Sequence, residues 1–176
     1  MLPRIELVRA TPEQQPIVAN LMELYVHDFS EFYPIEPGPD GRFGYKDLAL
    51  YRSDADRLPF LVRANGGWAG FVLIRREQAA AGAAAFWDLA EFFILRAWRR
   101  RSVGTVVAHQ LWQRHPGQWQ VRVMEANAAG CSFWENAVRT FAGDGARLDL
   151  CEKGGVQWRI FTFESRPGIG GSPAPG

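Results

Sequence analysis

The stretch Glu91-Phe-Phe-Ile-Leu-Arg-Ala-Trp-Arg-Arg-Arg-Ser-Val-Gly-Thr-Val-Val-Ala108 constrains this chain more than any other. Phe92 to Leu95 is apolar and reads as the end of a strand. Val103, Val106, Val107 and Leu111 set the core stripe of a helix. Between them lies a turn rich in arginine. The first turn of a helix carries backbone N–H groups without internal partners, and its dipole favours an anion. Arg96, Arg99, Arg100 and Arg101 add forked donors beside those amides. On local chemistry alone the segment reads equally as a phosphate site and as a solvated charged turn joining two core elements.

The rest of the chain bounds what such a site could serve. The 176 residues favour one domain with a full-sized core. We assign it residues 1–165 and expect the Gly/Pro/Ser-rich tail 166–176 to be disordered. A net charge of +1 and a pI near 7.8 argue against a nucleic-acid partner, because the basic residues concentrate at one turn rather than across a face. No apolar run approaches the roughly 20 residues of a membrane span, and the N-terminus lacks the layout of a secretion signal. Cys131 and Cys151 read as reduced thiols, which with the missing signal points to the cytoplasm. Neither has neighbours at metal-ligand spacing, so no metal is expected.

Ile5 to Arg9 alternates as a strand. Thr11-Pro-Glu-Gln14 forms a helix start with a capping box, and Pro16 moves the α-helix proper a turn later. Residues 60–75 read as a hairpin turning at Asn65-Gly66-Gly67. Phe86 to Leu95 is apolar on both faces and predicts a strand buried between layers. Trp119 to Met124 predicts another strand, Asn127 to Phe141 a helix, and Arg147–Cys151 with Val156–Phe163 a final strand pair. This order predicts an α/β (α+β) fold with a mixed, mostly antiparallel central sheet and helices on both faces.

Arg99-Arg-Arg-Ser-Val-Gly104 resembles the pyrophosphate-binding signature of the GNAT-type N-acetyltransferases: Arg or Gln, two residues, Gly, one residue, then Gly or Ala. Ser102 replaces the first glycine. Asn127-Ala-Ala-Gly-Cys-Ser-Phe-Trp134 is similar to the family's Asn-led helix, and Phe92–Leu95 to its fourth strand. The resemblance implies acetyl-coenzyme A, or another acyl-coenzyme A, as acyl donor. Its diphosphate would lie on the amides around Arg100, Arg101, Ser102, Val103, Gly104 and Thr105, with small residues at 102 and 104 leaving room. Its pantetheine would pair with the backbone of Ile94, Leu95 and Arg96, flanked by Asn127 and Trp134. Relatives also commonly dimerise, so a homodimer is an open expectation.

Acyl transfer to an amine requires that an ammonium lose a proton and a thiolate leave. Glu91, acidic within an apolar strand, is the expected base, either catalytic or a structural anchor. Asp88 is the weaker alternative, expected on the opposite face as a surface residue at the strand end. The family often places a tyrosine seven residues after the motif asparagine, where this chain has Trp134. An indole cannot deliver a proton, so either the thiolate leaves unassisted or Tyr25 or Tyr33 substitutes. Trp134 itself reads as packing or as a channel wall, and Asn127 as a helix cap or a ligand contact. Tyr25, Asp28, Phe32 and Tyr33 belong to an aromatic–acidic stretch on the expected acceptor side, suited to a cationic amine of a small molecule or peptide, or simply a solvated helix end. His109 and His115 read as surface residues. The alternative function is an acyl-coenzyme A-binding sensor or partner module without turnover, suggested by Ser102 and Trp134.

Overall fold

The computed structural model describes residues 3–80 and 82–166. Residues 167–176, most of the expected disordered tail, lie outside it.

The sheet is built from β1 (Ile5–Arg9), β2 (Arg57–Ala64), β3 (Gly67–Gln78), β4 (Ala85–Ile94), β5 (Gly117–Met124), β6 (Arg147–Lys153) and β7 (Val156–Ser165). Its seven strands run in the order β1-β2-β3-β4-β5-β7-β6. β4 and β5 are parallel and every other adjacent pair is antiparallel. The helices are α1 (Gln15–Phe29), the short α2 (Leu50–Ser53), α3 (Val103–Arg114) and α4 (Ala128–Ala142). The expected mixed, mostly antiparallel sheet with helices on both faces is what forms. Among the described residues no helix is long and apolar enough to cross a membrane.

The continuous apolar runs of β3 and β4 follow from burial on both sides. On one face, Phe71, Leu73 and Phe93 pack under α1 through Val18, Leu21, Met22 and Val26. On the other, Val72, Ile74 and Ile94 pack under α3 and α4 through Val103, Val107, Leu111, Ala137 and Val138. Each such side chain contributes about 1.5–3 kcal/mol by leaving water. Gly70 lets β3 and β4 close together, since a Cβ there would stand 2.0 Å from the Phe93 carbonyl oxygen. The Thr11–Gln14 capping box forms, and Pro12–Gln14 makes a 3-10 turn before α1 starts at Gln15, one turn late because of Pro16.

Two features of the sheet position the site. β4 and β5 pair only from Trp87–Trp119 to Leu89–Val121, after which the strands diverge although both continue. The register of β3 against β4 jumps between Leu73–Glu91 and Ile74–Leu89, leaving Ala90 as a bulged residue. The wedge and the bulge lie side by side.

Candidate active site

The β4–α3 connection opens the wedge. A 3-10 turn (Arg96–Trp98) follows β4, and α3 begins at Val103 with Ser102 as N-cap. Ser102 supplies no side-chain cap, and the first α3 amide to find a backbone acceptor is Val106, on the Ser102 carbonyl at 3.0 Å. The amides of Val103, Gly104 and Thr105 therefore face outward from the helix start without an intrahelical acceptor. Arg100 (φ 57°) and Ser102 (φ 60°) both adopt the left-handed conformation. Ser102 thus occupies a backbone position that favours glycine, at a steric cost.

A cavity of about 440 Å³ lies against this turn, lined by Asp28, Phe32, Ile94, Arg96, Arg99, Arg100 and Gly104 among others. A second of about 510 Å³ lies beyond the wedge and contains Glu91, Tyr45, Asp47, Arg122 and Trp158. Tyr25, Phe29, Phe92, Asn127 and Trp134 line both, so the two cavities are neighbours that share walls at the splayed strands. The structure brings Ile94, Arg96, Arg99, Arg100, Gly104, Asn127 and Trp134 to the first cavity. Val103 is fully buried in the core, so only its backbone can serve the site. Leu95 donates its amide to Ala69 at 2.8 Å, continuing the β3–β4 ladder, and Arg101 stacks over Trp98 at 5.7 Å.

Several side chains have partners that the sequence did not indicate. Asp28, at the end of α1, accepts from Arg96 Nη2 through Oδ1 and from Arg99 Nη2 through Oδ2, each at 2.6 Å. Burial opposes its ionisation, but the two guanidiniums outweigh burial and hold its carboxyl below the usual range. Arg99 Nε also donates to the Ile94 carbonyl at 2.7 Å. Gly104 faces the Phe133 ring, 3.0 Å from where its Cβ would be, so the limit on size at 104 is set by α4 packing as well as by the cavity. Asn127 caps α4 by accepting from the Gly130 amide at 2.8 Å, and its side chain also borders both cavities. Trp134 packs edge-on against Phe92 at 4.9 Å while lining both cavities. Tyr33 is exposed and lines neither cavity.

Glu91 is half-buried on the α1 side of the sheet. Burial raises its pKa, and repulsion from Asp88 adds to this. The nearby Tyr25 hydroxyl, the hydrogen bond from Tyr45 and the charge of Arg122 pull the other way. Tyr45 Oη donates to Glu91 Oε1 at 2.8 Å. Burial and the neighbouring carboxylate raise both tyrosines, so both remain donors.

Asp88 corrects the sequence reading. It is buried at 1% exposure, not a surface residue. Arg75 Nε and Arg122 Nη2 both reach its Oδ2 at 2.9 Å. Nor is it on the opposite face: the bulge at Ala90 breaks the two-residue alternation, and Asp88 and Glu91 point to one side. His115 is likewise not a surface residue but half-buried, edge-on to Trp87 at 5.1 Å, and His109 meets the Ala137 carbonyl at 3.0 Å. Tyr45 was missed because it sits in a Gly/Pro-rich segment without periodicity, where nothing but its aromatic character beside Phe43 marks it.

A parallel pair that splays beside an uncapped helix start, in a sheet of this order, defines the acyl-coenzyme A N-acyltransferase fold. The chain belongs to the GNAT acetyltransferase family, whose profile matches residues 18–137. No curated protein matches it in sequence. Among solved structures, a GNAT-family acetyltransferase from Streptococcus pneumoniae is 16% identical with TM-score 0.63, covering 92% of this chain and 99% of that one. An acetyltransferase from Thermus thermophilus is 15% identical with TM-score 0.65, covering 93% and 99%. A Bacillus anthracis acetyltransferase solved with acetyl coenzyme A is 12% identical with TM-score 0.50 over 66% of each chain. No group of three or more His, Cys, Asp or Glu suited to a metal occurs among the described residues.

Proposed function

We propose that this protein transfers the acetyl group of acetyl-coenzyme A directly to a primary amine of a small molecule or peptide. The observation that carries the reading is a pair of adjoining cavities that share Phe92, Asn127 and Trp134 as walls, one against the free amides of α3 and the other against Glu91. The acetyl-coenzyme A complex of the Bacillus anthracis neighbour supports the choice of donor.

The diphosphate meets the amides at Val103, Gly104 and Thr105 beside Arg100, which makes no ion pair among the described residues. The pantetheine lies in the wedge against Phe92 and Trp134 and brings the thioester toward Glu91. Glu91, its pKa raised by burial, takes a proton from the ammonium directly or through water. The freed amine attacks the thioester carbonyl; the new N–C bond forms as the C–S bond breaks, and the thiolate leaves and takes up the second proton that the acylated nitrogen sheds. Tyr25, which lines both cavities, takes the part of the missing tyrosine of α4. Its raised pKa lets it hydrogen-bond a departing thiolate without surrendering its proton fully, which suffices for a thiol of pKa near 8.5.

Calorimetric titration with acetyl-coenzyme A, followed by thiol release across a panel of amines, tests the proposal. We expect micromolar binding and amine-dependent release. No heat and no thermal shift at millimolar donor would end the reading. Binding without release for any amine would favour the non-catalytic acyl-coenzyme A module.

A further inference from the structure

Glu23 lies on α1 but serves a loop. Its Oε2 accepts from the Phe43 amide at 2.7 Å and its Oε1 from the Gly44 amide at 3.0 Å. Gly44 has φ +65°, a left-handed turn that costs glycine little. The next residue is Tyr45, whose hydroxyl reaches Glu91. His27, also on α1, packs edge-on to Phe43 at 6.3 Å. The segment between α1 and Tyr45 has no helix or strand, so no regular ladder fixes this loop. A carboxylate that accepts from two consecutive amides is a strong, directional constraint on such a segment.

We propose that Tyr45 is a positioning residue for Glu91 and that Glu23 is the latch that sets Tyr45, making the loop from Phe43 to Asp47 a built wall of the acceptor site. The inference rests on Glu91 being the base. A partly buried carboxylate among Tyr25, Phe29 and Phe93 needs donors to be held in one place. Tyr45 supplies one from a loop that packs Ile35, Phe43 and Leu48 on the core but whose backbone at Phe43 and Gly44 is tied by Glu23, and Lys46 and Asp47 border the same cavity. Glu23 touches neither Glu91 nor the cavity, so it acts only through the loop.

The groups facing Glu91 are Tyr25 from α1, Tyr45 from the loop, Tyr51 from α2, Asp88 from β4 and Arg122 from β5. Only Tyr45 depends on the latch. The test is a carbon-13 carboxyl titration of Glu91 in the full chain, for wild type, Tyr45→Phe, Glu23→Gln, Glu23→Ala and Tyr45→Phe/Glu23→Ala. It needs no donor and no amine, so it stands apart from the acetyl-transfer reading. Tyr45→Phe removes a donor to the anion and should raise the Glu91 midpoint by about one pH unit. Glu23→Gln, which keeps one acceptor oxygen, should give a smaller rise, and Glu23→Ala a rise approaching that of Tyr45→Phe. In the double variant Glu23→Ala should add nothing. If amine acetylation is found, the acidic limb of kcat/KM should move with the same ranking. An unmoved Glu91 midpoint in folded Tyr45→Phe overturns the proposal, and so does a Glu23→Ala shift that adds in full to that of Tyr45→Phe. Shifts as ranked, in a protein that acetylates no amine, uphold the latch while removing the enzyme.

Discussion

Asp28 and Arg99 meet at the wall of the cavity beside the β4–α3 turn, Oδ2 to Nη2 at 2.6 Å, and Arg96 closes on the other carboxylate oxygen. An acidic side chain therefore already sits on two of the four arginines of the β4–α3 turn, within the cavity that would receive phosphates. That arrangement makes Asp28 a competitor of the donor's phosphates rather than an evident partner for a cationic amine. Asp28→Asn should tighten acetyl-coenzyme A binding about threefold at low salt, the order expected from removing one nearby like charge in water-like dielectric. The gain should fade at high ionic strength. Calorimetry at two salt concentrations checks it; weaker binding would mean that Asp28 orients the arginines productively.

Glu91→Gln should abolish acetyl transfer while leaving donor affinity within a factor of about two, because the carboxylate lies beyond the wedge from the phosphates. It should also stabilise the fold at neutral pH. The native pKa of Glu91 is raised, so its contribution to stability is complete below the unfolded pKa and is lost as pH rises through the folded one. Once ionised it lowers the stability of the fold. Thermal denaturation should show Glu91→Gln melting higher than wild type at pH 8, with no difference at pH 4. A variant less stable at pH 8 would contradict this sign.

Asp88→Asn should destabilise the protein by about 2–3 kcal/mol. Its carboxylate is buried while Arg75 and Arg122 keep part of their guanidiniums in water, which places the loss at the lower end for a broken buried pair. Removing this like charge should also lower the Glu91 midpoint and move the acidic limb of kcat/KM to lower pH. Urea denaturation and a pH–rate profile measure the two effects separately.

Ser102→Gly should raise stability by about 1 kcal/mol, because it relieves a non-glycine residue at φ 60° that makes no side-chain cap. The amides of the α3 start would keep their places, so donor affinity should hold. A loss of affinity on Ser102→Gly would assign the hydroxyl a direct contact with the donor.

Where a feature is local, the residues announced it. The β4–turn–α3 unit, the Thr11–Gln14 box and the Asn127 cap each depend on a few adjacent residues and formed where expected. The two-faced burial of β4 was legible because its apolar run had no alternation. The surroundings of Glu91 were not legible. Tyr45 comes from 46 positions earlier, and nothing in its own neighbourhood marks it. Asp88 was misplaced for a different reason: face assignment assumes a period of two, and one extra residue reverses it for everything beyond.

Sequence by itself determined the family, the element order, and the helix start that offers free amides, because periodicity, capping and short motifs act within a few residues. Tertiary structure decided which groups surround Glu91, that Asp28 occupies Arg96 and Arg99, and that Glu23 governs Tyr45. Those outcomes depend on strand register, on the bulge at Ala90 and on loop closure over dozens of residues. None of these leaves a local trace, since the partners become neighbours only once the sheet and α1 have packed.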